Sequence, residues 1–391
     1  MRSRSVTTRF AYVDGLRAVA VLLVVWFHVI VGAALAHGRA LEPIGDIGAR
    51  GVDLFFVLSG FCLARPLLSA AAMNNGTLVI DYGTFLSRRF ARIAPPYYIA
   101  LVLFTILAAT PFGYPSTWAS SISALDGAGP REFFADLAFL TTRQPVANGT
   151  FWTLGIEMRW YFVCPYLVAL FVRSRRAFYA AMIIAYAAYY LPPVQVLDLG
   201  TLPAFMFGII AASISVEERV LDIRWKAIAC ASLALALTRQ TFDPNVDHGD
   251  PIWHLAFFFV LVFARARMAN RFLATAPLVF IGTASYAIYL IHLPFLDWFG
   301  RNGMPWPVAG SVATGLGVAF WAFVERPLVA PGSREAIAAT VRRCFRRYAR
   351  PSIVVHTPLF QRLDDPNAIT SSSPLGSDTR ISGSQSSSAV P

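Results

Sequence analysis

Residues 16–36 read LRAVAVLLVVWFHVIVGAALA, an apolar run about long enough to cross a bilayer as one helix. Two ionisable residues, Arg17 and His28, interrupt this run. His28 comes eleven positions after Arg17, so at about 100° per residue the two side chains project within about 20° of the same direction. The rise along the helix axis between them is roughly 16 Å. Because ionisable groups are costly inside a bilayer, the pair indicates a functional site.

A cleavable signal peptide is the alternative for this stretch. Arginines precede the apolar run, and residues 34–36 resemble a cleavage site. The run is, however, longer than the roughly 7–15 apolar residues of such a peptide. It also contains Arg17 and His28, so we favour a retained transmembrane helix.

The composition is typical of a helical membrane protein. The chain has 391 residues, of which 56% are hydrophobic and 14% are charged, against about 25% charged in soluble domains. The apolar runs do not alternate with polar residues as barrel strands do. The net charge of +11 could suggest nucleic-acid binding, but arginines concentrated in the loops of one membrane side explain it better.

We predict an all-α fold, a polytopic transmembrane helix bundle of about ten spans. The long loop at 113–150 contains an apolar patch, 133–140, that is too short to span and is expected at the interface or against the bundle. The predicted spans are 16–36, 51–70, 93–112, 153–172, 177–192, 199–216, 225–238, 252–264, 277–298 and 306–324.

The positive charges of the loops predict that both termini are cytoplasmic. With the N-terminus inside, every inside segment holds more Arg and Lys than its outside neighbours. We therefore expect a transmembrane domain at 1–327 and a basic segment at 328–350 that forms either an interfacial or a solvated helix. The Ser- and Pro-rich tail at 351–391 is expected to be disordered.

This orientation places the intramembrane polar residues by depth. Three arginines lie near the inner end, namely Arg17, Arg89 and Arg92. Their planar donor forks are suited to binding phosphates. The alternative is that they only anchor the helices by the positive-inside rule. His28 lies near the middle. Toward the outer half lie Asp53, Glu157 and His292. The arrangement indicates an anionic donor on the cytoplasmic side and an acceptor reached from the other side.

Structural interpretations of the same residues stay open. His28 and His292 could be structural hydrogen bonders, and Asp53 and Glu157 could be carboxylates that offset a helix dipole. The two histidines and a carboxylate lack the spacing of a metal site, and the four cysteines form no C-x-x-C pair. Glu325 is expected to close the last span at the inner surface.

Six blocks, in order from about residue 10 to 327, resemble the membrane acyltransferase-3 family. The blocks are YVDGLRAVAV (12–21) followed by His28, GVDLFFVLSGF (51–61), RRFARIAPPYY (88–98), WTLGIEMRWY (152–161), SYAIYLIHLP (285–294) and ERP (325–327). The fourth block departs from the family pattern, with Thr153 where serine is common and Met-Arg-Trp at 158–160, and a pairing of Arg159 with Glu157 would affect the acceptor side.

The resemblance implies an inner-membrane protein that moves an acyl group, commonly acetyl, from cytoplasmic acyl-CoA to a hydroxyl of an extracytoplasmic glycan such as lipopolysaccharide or exopolysaccharide. It implies that the pair Arg17 and His28 is essential, and it places the family's Arg-x-x-Arg on Arg89 and Arg92. Acetyl-CoA is then the expected donor, and neither a metal nor a nucleic acid is expected to bind.

We assign roles to these residues as hypotheses. Catalysis is assigned to His28, Glu157 and Asp53, acyl-CoA binding to Arg17, Arg89 and Arg92, and substrate binding to Asp14, Trp152, Arg159, Tyr286 and His292. A neutral His28 would either deprotonate the hydroxyl or carry the acyl group, with Asp53 or Glu157 orienting its ring or the acceptor. A glycan or lipid flippase and a non-catalytic membrane sensor are the alternatives, although the repeats typical of transporters are not detected.

Overall fold

The structure, a computed structural model, describes residues 10–37, 42–108, 130–140, 148–191, 198–243, 246–345 and 352–356. The helices of its first half are α1 (Ala11–His37), α2 (Glu42–Ala49), α3 (Gly51–Met73), α4 (Tyr82–Ala108), α5 (Pro130–Leu137), α6 (Trp152–Arg173), α7 (Arg175–Tyr189) and α8 (Leu202–Val216). Those of the second half are α9 (Ile223–Phe242), α10 (Pro251–Phe263), α11 (Arg267–Leu273), α12 (Ala276–Thr283), α13 (Ser285–Arg301), α14 (Trp306–Phe320), α15 (Arg326–Leu328) and α16 (Pro331–Phe345). A π-helical turn, Trp321–Glu325, joins α14 to α15.

The helices support a multi-pass membrane protein, with fewer clear spans than the ten predicted. Among the described residues, six helical segments are long and apolar enough to cross a membrane, and eight if each of two bent helix pairs is one span. Those pairs are α10 with α11, bent by 96°, and α12 with α13, bent by 71°. The two other predicted spans fall on α7, which has only 15 residues, and on α9, which carries charged residues near both ends.

The fold is not purely helical, because two short strands form an antiparallel ladder. Strand β1 (Thr77–Ile80) pairs with β2 (Ile353–His356), with Thr77 opposite His356. Residues 353–356 therefore depart from the disorder expected for the tail. Their β-branched residues favour an extended strand, and β1 offers it an edge of unpaired backbone groups. The rest of the tail, from 357 onward, lies outside the described residues.

The predicted basic helix is α16, which packs along α4 instead of standing free. The Arg342 Nη1 atom donates to Thr84 Oγ1 at 3.0 Å. The apolar patch expected against the bundle includes the end of α5, and two tyrosines hold that helix onto α4. Tyr97 donates to the Asp136 carbonyl at 2.7 Å and Tyr98 to the Leu137 carbonyl at 3.0 Å.

Close helix packing centres on α3 and α8. Gly60 of α3 faces the carbonyl of Phe205, and Gly208 of α8 faces the carbonyl of Val57, so a Cβ at either glycine would collide with backbone. Small residues at such a crossing let two helices approach closely in a membrane. Helix α1 packs against α3, α12, α13 and α14. This packing arranges α1, α3, α4, α6 and α13 around one cavity.

Candidate active site

The cavity has a volume of about 90 Å³, which is room for several water molecules. Its lining comes from segments far apart in the sequence. The charged and phenolic residues of the lining are Arg17, Arg89, Arg92, Glu157, Tyr161, Tyr286, Tyr289 and Glu325. The structure thus brings together five of the predicted site residues, namely Arg17, Arg89, Arg92, Glu157 and Tyr286.

Three arginines give the cavity an excess of positive charge over its two glutamates. Arg17 comes from α1, and Arg89 and Arg92 lie three residues apart on one face of α4. Arg92 lies close enough to the other two to be repelled by both. Within the described ranges, none of the three guanidinium groups has a carboxylate within 4.0 Å. Since a buried cation needs a counter-charge, this cluster is suited to an anionic ligand.

Two hydroxyls hold the Glu157 carboxylate in the cavity wall. Its Oε1 atom accepts from Ser59 Oγ at 2.8 Å and from the Tyr161 hydroxyl at 2.6 Å. Glu157 does not pair with Arg159, because positions i and i+2 point to different helix faces. Arg159 instead bonds to Asp198, with its Nη2 atom 3.0 Å from Oδ2.

Glu325 is a site residue that the sequence did not predict. It ends the π-helical turn, is only 4% exposed, and lines the cavity beside the arginines. Its Oε2 atom accepts from the Ala287 backbone N–H at 3.1 Å. A carboxylate inside an apolar span was the available signal, since such residues are functional candidates by default.

Tyr289 lies between the cavity and a pair of histidines. Its hydroxyl lies 2.6 Å from Thr153 Oγ1, and Thr153 also lines the cavity. On its other side, the Tyr289 ring centroid is 5.9 Å from that of His292. Tyr289 therefore contacts both the cavity and His292.

His28 of α1 and His292 of α13 lie side by side. The Nε2 atom of His292 lies 3.3 Å from Nδ1 of His28. His28 Nδ1 also lies 2.9 Å from the Val24 carbonyl, and His292 Nδ1 lies 3.1 Å from the Ile288 carbonyl. Because a carbonyl only accepts, each Nδ1 carries the hydrogen in the neutral ring. The lone pair of His28 is then on Nε2, where it is available to a substrate.

The expected contact between Asp53 and His28 is not present, because Asp53 pairs elsewhere. Its Oδ2 atom lies 3.1 Å from Arg50 Nη1, and its Oδ1 atom lies 2.8 Å from His248 Nδ1. Trp152 packs beside this pair, with its ring centroid 5.2 Å from that of His248. The sequence analysis missed His248, which lies in the loop between α9 and α10.

The remaining predicted residues support the walls of the site. Asp14 is buried in the first turn of α1 and interacts electrostatically with Arg17. Tyr286 lines the cavity and donates to the Ile93 carbonyl of α4 at 2.8 Å. Among the side chains that the structure describes, no group of three or more His, Cys, Asp or Glu is arranged to hold a metal ion.

Residues 10–325 match the acyltransferase domain family. The chain is similar to the peptidoglycan O-acetyltransferase OatA of Listeria monocytogenes, at 26% identity over 344 aligned positions that cover 74% of this chain and 50% of the relative. It is also similar to the O-acetyltransferase OatA of Staphylococcus aureus, at 24% identity over 327 positions that cover 72% and 50% of the two chains.

A shorter match reaches a higher identity. Protein 2 in the picA locus of Rhizobium radiobacter is 43% identical over 101 positions, which cover 26% of this chain and 47% of that protein. The chain spans about half the length of these curated relatives. No solved structure matches it.

Proposed function

The chain belongs to the acyltransferase domain family, and from that premise we propose that it is a membrane O-acyltransferase. The reaction moves an acyl group, acetyl in the first instance, from cytoplasmic acyl-CoA to a hydroxyl of an extracytoplasmic glycan. The name of the Listeria monocytogenes relative suggests peptidoglycan as an acceptor to test beside lipopolysaccharide and exopolysaccharide. The protein would be a multi-pass protein of the inner membrane with both termini in the cytoplasm.

The observation that carries this proposal is the convergence of Arg17, Arg89 and Arg92 on one cavity, where no described carboxylate lies within 4.0 Å of their guanidinium groups. Planar guanidinium groups bind phosphate oxygens through two parallel hydrogen bonds. We infer that they bind the phosphates of the donor at the inner end of the bundle.

The transfer group in this proposal is His28, whose Nε2 atom is free of the hydrogen bonds that hold Nδ1. In one version, Nε2 takes the proton of the sugar hydroxyl, whose oxygen attacks the thioester carbon as the bond to sulfur breaks. In the other, Nε2 itself attacks the thioester, coenzyme A leaves as the thiolate, and the acyl group passes from His28 to the hydroxyl. The second version moves the acyl group outward without moving coenzyme A.

The function can be tested with purified protein in liposomes, acetyl-CoA labelled in its acetyl group, and isolated glycans. We expect release of the coenzyme A thiol and label in the glycan in equal amounts. A flippase would move glycan without thiol release, and a sensor would do neither. If the protein binds acetyl-CoA but releases no thiol with any of the glycans, the proposal is contradicted. Acid quenching followed by mass spectrometry of the peptide containing His28 distinguishes the acyl-histidine version from the general-base version.

A further inference from the structure

A second polar cluster, separate from the arginine cavity, is built around a buried carboxylate. The Asp53 side chain has 0% exposure and binds both Arg50 and His248. Arg50 also donates to two carbonyls of the loop before His248, those of Val246 at 3.2 Å and of Asp247 at 2.5 Å. The carboxylate, the arginine and the loop therefore hold His248 in one position.

The hydrogen bonds of His248 leave one ring nitrogen available. Its Nδ1 atom donates to Asp53 Oδ1, so in the neutral ring the Nε2 atom carries the lone pair. The His248 side chain is 24% exposed, whereas its carboxylate partner is fully buried. The backbone is held as well, because His254 Nε2 donates to the His248 carbonyl at 3.0 Å. A buried carboxylate that fixes the orientation of an accessible imidazole is the arrangement of a general base.

Trp152 gives this imidazole an aromatic neighbour. It is the first residue of α6 and is half-buried, with its ring inclined by 47° to that of His248. An aromatic ring packs well on the apolar face of a sugar ring. A hydrogen-bond acceptor next to that aromatic ring, here His248 Nε2, can then select a sugar hydroxyl. Together the two side chains have the chemistry of a site for a sugar hydroxyl.

The cluster adjoins the cavity. Val52 and Thr153, which line the cavity, are the chain neighbours of Asp53 and Trp152 respectively. Along the antiparallel contact of α1 with α2 and α3, Gly45 lies against Ile30 and Gly51 lies against Ala20 and Val24. Asp53 therefore lies further along the bundle than His28, beside the cavity wall.

We propose that His248, positioned by Asp53, is the general base that deprotonates the acceptor hydroxyl, and that Trp152 is the platform for the acceptor sugar. This inference rests on the proposed acyl transfer. In the step, the hydroxyl O–H bond breaks as Nε2–H forms on His248, and the oxygen bonds to the acyl carbon. The bond from that carbon to its carrier, the thioester sulfur or His28 Nε2, breaks at the same time, and the carrier keeps the bonding electron pair. His248 then releases the proton to water through its exposed edge.

The first test replaces His248→Asn, because the asparagine amide still donates to Asp53 but has no counterpart of Nε2. We expect glycan acylation to fall at least about 100-fold, while the dissociation constant of acetyl-CoA stays within about twofold. Acylation within about threefold of wild type would overturn the inference and leave the proposed function standing. A wild-type protein that releases no thiol with any glycan would overturn both.

The second test separates positioning from fold maintenance. Asp53→Asn should lower kcat for glycan acylation without raising the KM for the glycan, and combining it with His248→Asn should add no further loss. A purely structural carboxylate would instead give additive losses and a lower melting temperature in both single variants.

The third test uses two variants of Trp152 and applies even if the His248→Asn protein no longer binds acetyl-CoA. Trp152→Phe retains an aromatic face and should change the KM for the glycan by less than about threefold. Trp152→Leu removes that face and should raise the KM about tenfold at an unchanged affinity for acetyl-CoA. Equal KM values for the two variants would contradict a sugar platform at this position.

Discussion

His292 Nε2 lies 3.3 Å from His28 Nδ1, although 264 positions separate the two residues. The contact joins α13 to α1. It fixes the His28 ring from one side while the Val24 carbonyl accepts from the same nitrogen. In the neutral ring the lone pair is therefore on the opposite nitrogen, Nε2.

Replacing His28→Gln should abolish acyl transfer, since the amide is a poor base and nucleophile. We expect a loss of at least about 100-fold in kcat, with folded protein in the membrane and unchanged affinity for acetyl-CoA, measured by thiol release and by equilibrium binding. His356→Gln, on the exposed strand β2, is the matched control and should keep the wild-type rate. Activity of His28→Gln near that of the control would contradict a role in transfer.

Arg17→Ala should weaken binding of acetyl-CoA by about 10- to 100-fold, because a charge-assisted hydrogen bond to phosphate contributes about 1.5–3 kcal/mol. The affinity of Arg17→Lys for acetyl-CoA should lie between those of the wild type and Arg17→Ala, since lysine keeps the charge but lacks the planar donor fork. Isothermal titration in detergent measures both. Arg301→Ala, at the exposed end of α13, is the control. Unchanged affinity in Arg17→Ala would mean that Arg17 only anchors the helix.

His292→Ala should lower kcat about tenfold, because His28 keeps its bond to the Val24 carbonyl but loses the partner that holds its ring. In the double variant with His28→Gln, the losses should not add, since both changes act through one imidazole. Initial rates of the four proteins measure the coupling. Additive losses would show that His292 acts independently of His28.

Gly60→Ala should destabilise the bundle, because the new Cβ would meet the Phe205 backbone of α8. Overpacking of this kind costs about 1–3 kcal/mol, visible as a lower melting temperature in detergent. Gly315→Ala in α14 has open space around its Cβ and should be neutral or stabilising. Equal melting temperatures for the two variants would contradict the close crossing of α3 and α8.

The predicted orientation can be tested by labelling single cysteines in a background without the four native ones. Both test positions, Asn302 and Ser333, are exposed. A thiol reagent that does not cross the membrane, added outside intact cells, should label Asn302→Cys and not Ser333→Cys. The reverse pattern would place both termini outside.

The local pattern of the sequence predicted the class of the protein and much of the cavity. Apolar runs placed helices on every predicted span, and the arginines of α1 and α4 were expected together at the inner end. Arg89 and Arg92 share a face because they are three residues apart, which depends only on helix geometry. Their meeting with Arg17 in one cavity depends on the packing of the bundle. The strand at 353–356 was not foreseen, since its pairing depends on a partner more than 270 positions away.

By itself, then, the sequence determined a helical membrane protein of the acyltransferase family, with arginines and histidines inside its apolar runs. Only the tertiary structure decided which polar group meets which. It pairs Asp53 with His248, Arg159 with Asp198 and His28 with His292, and it adds Glu325 to the cavity. The physical reason is distance. A hydrogen bond requires an approach of about 3 Å, and the packing of helices remote in sequence sets that approach, whereas periodicity specifies only the face from which a side chain projects.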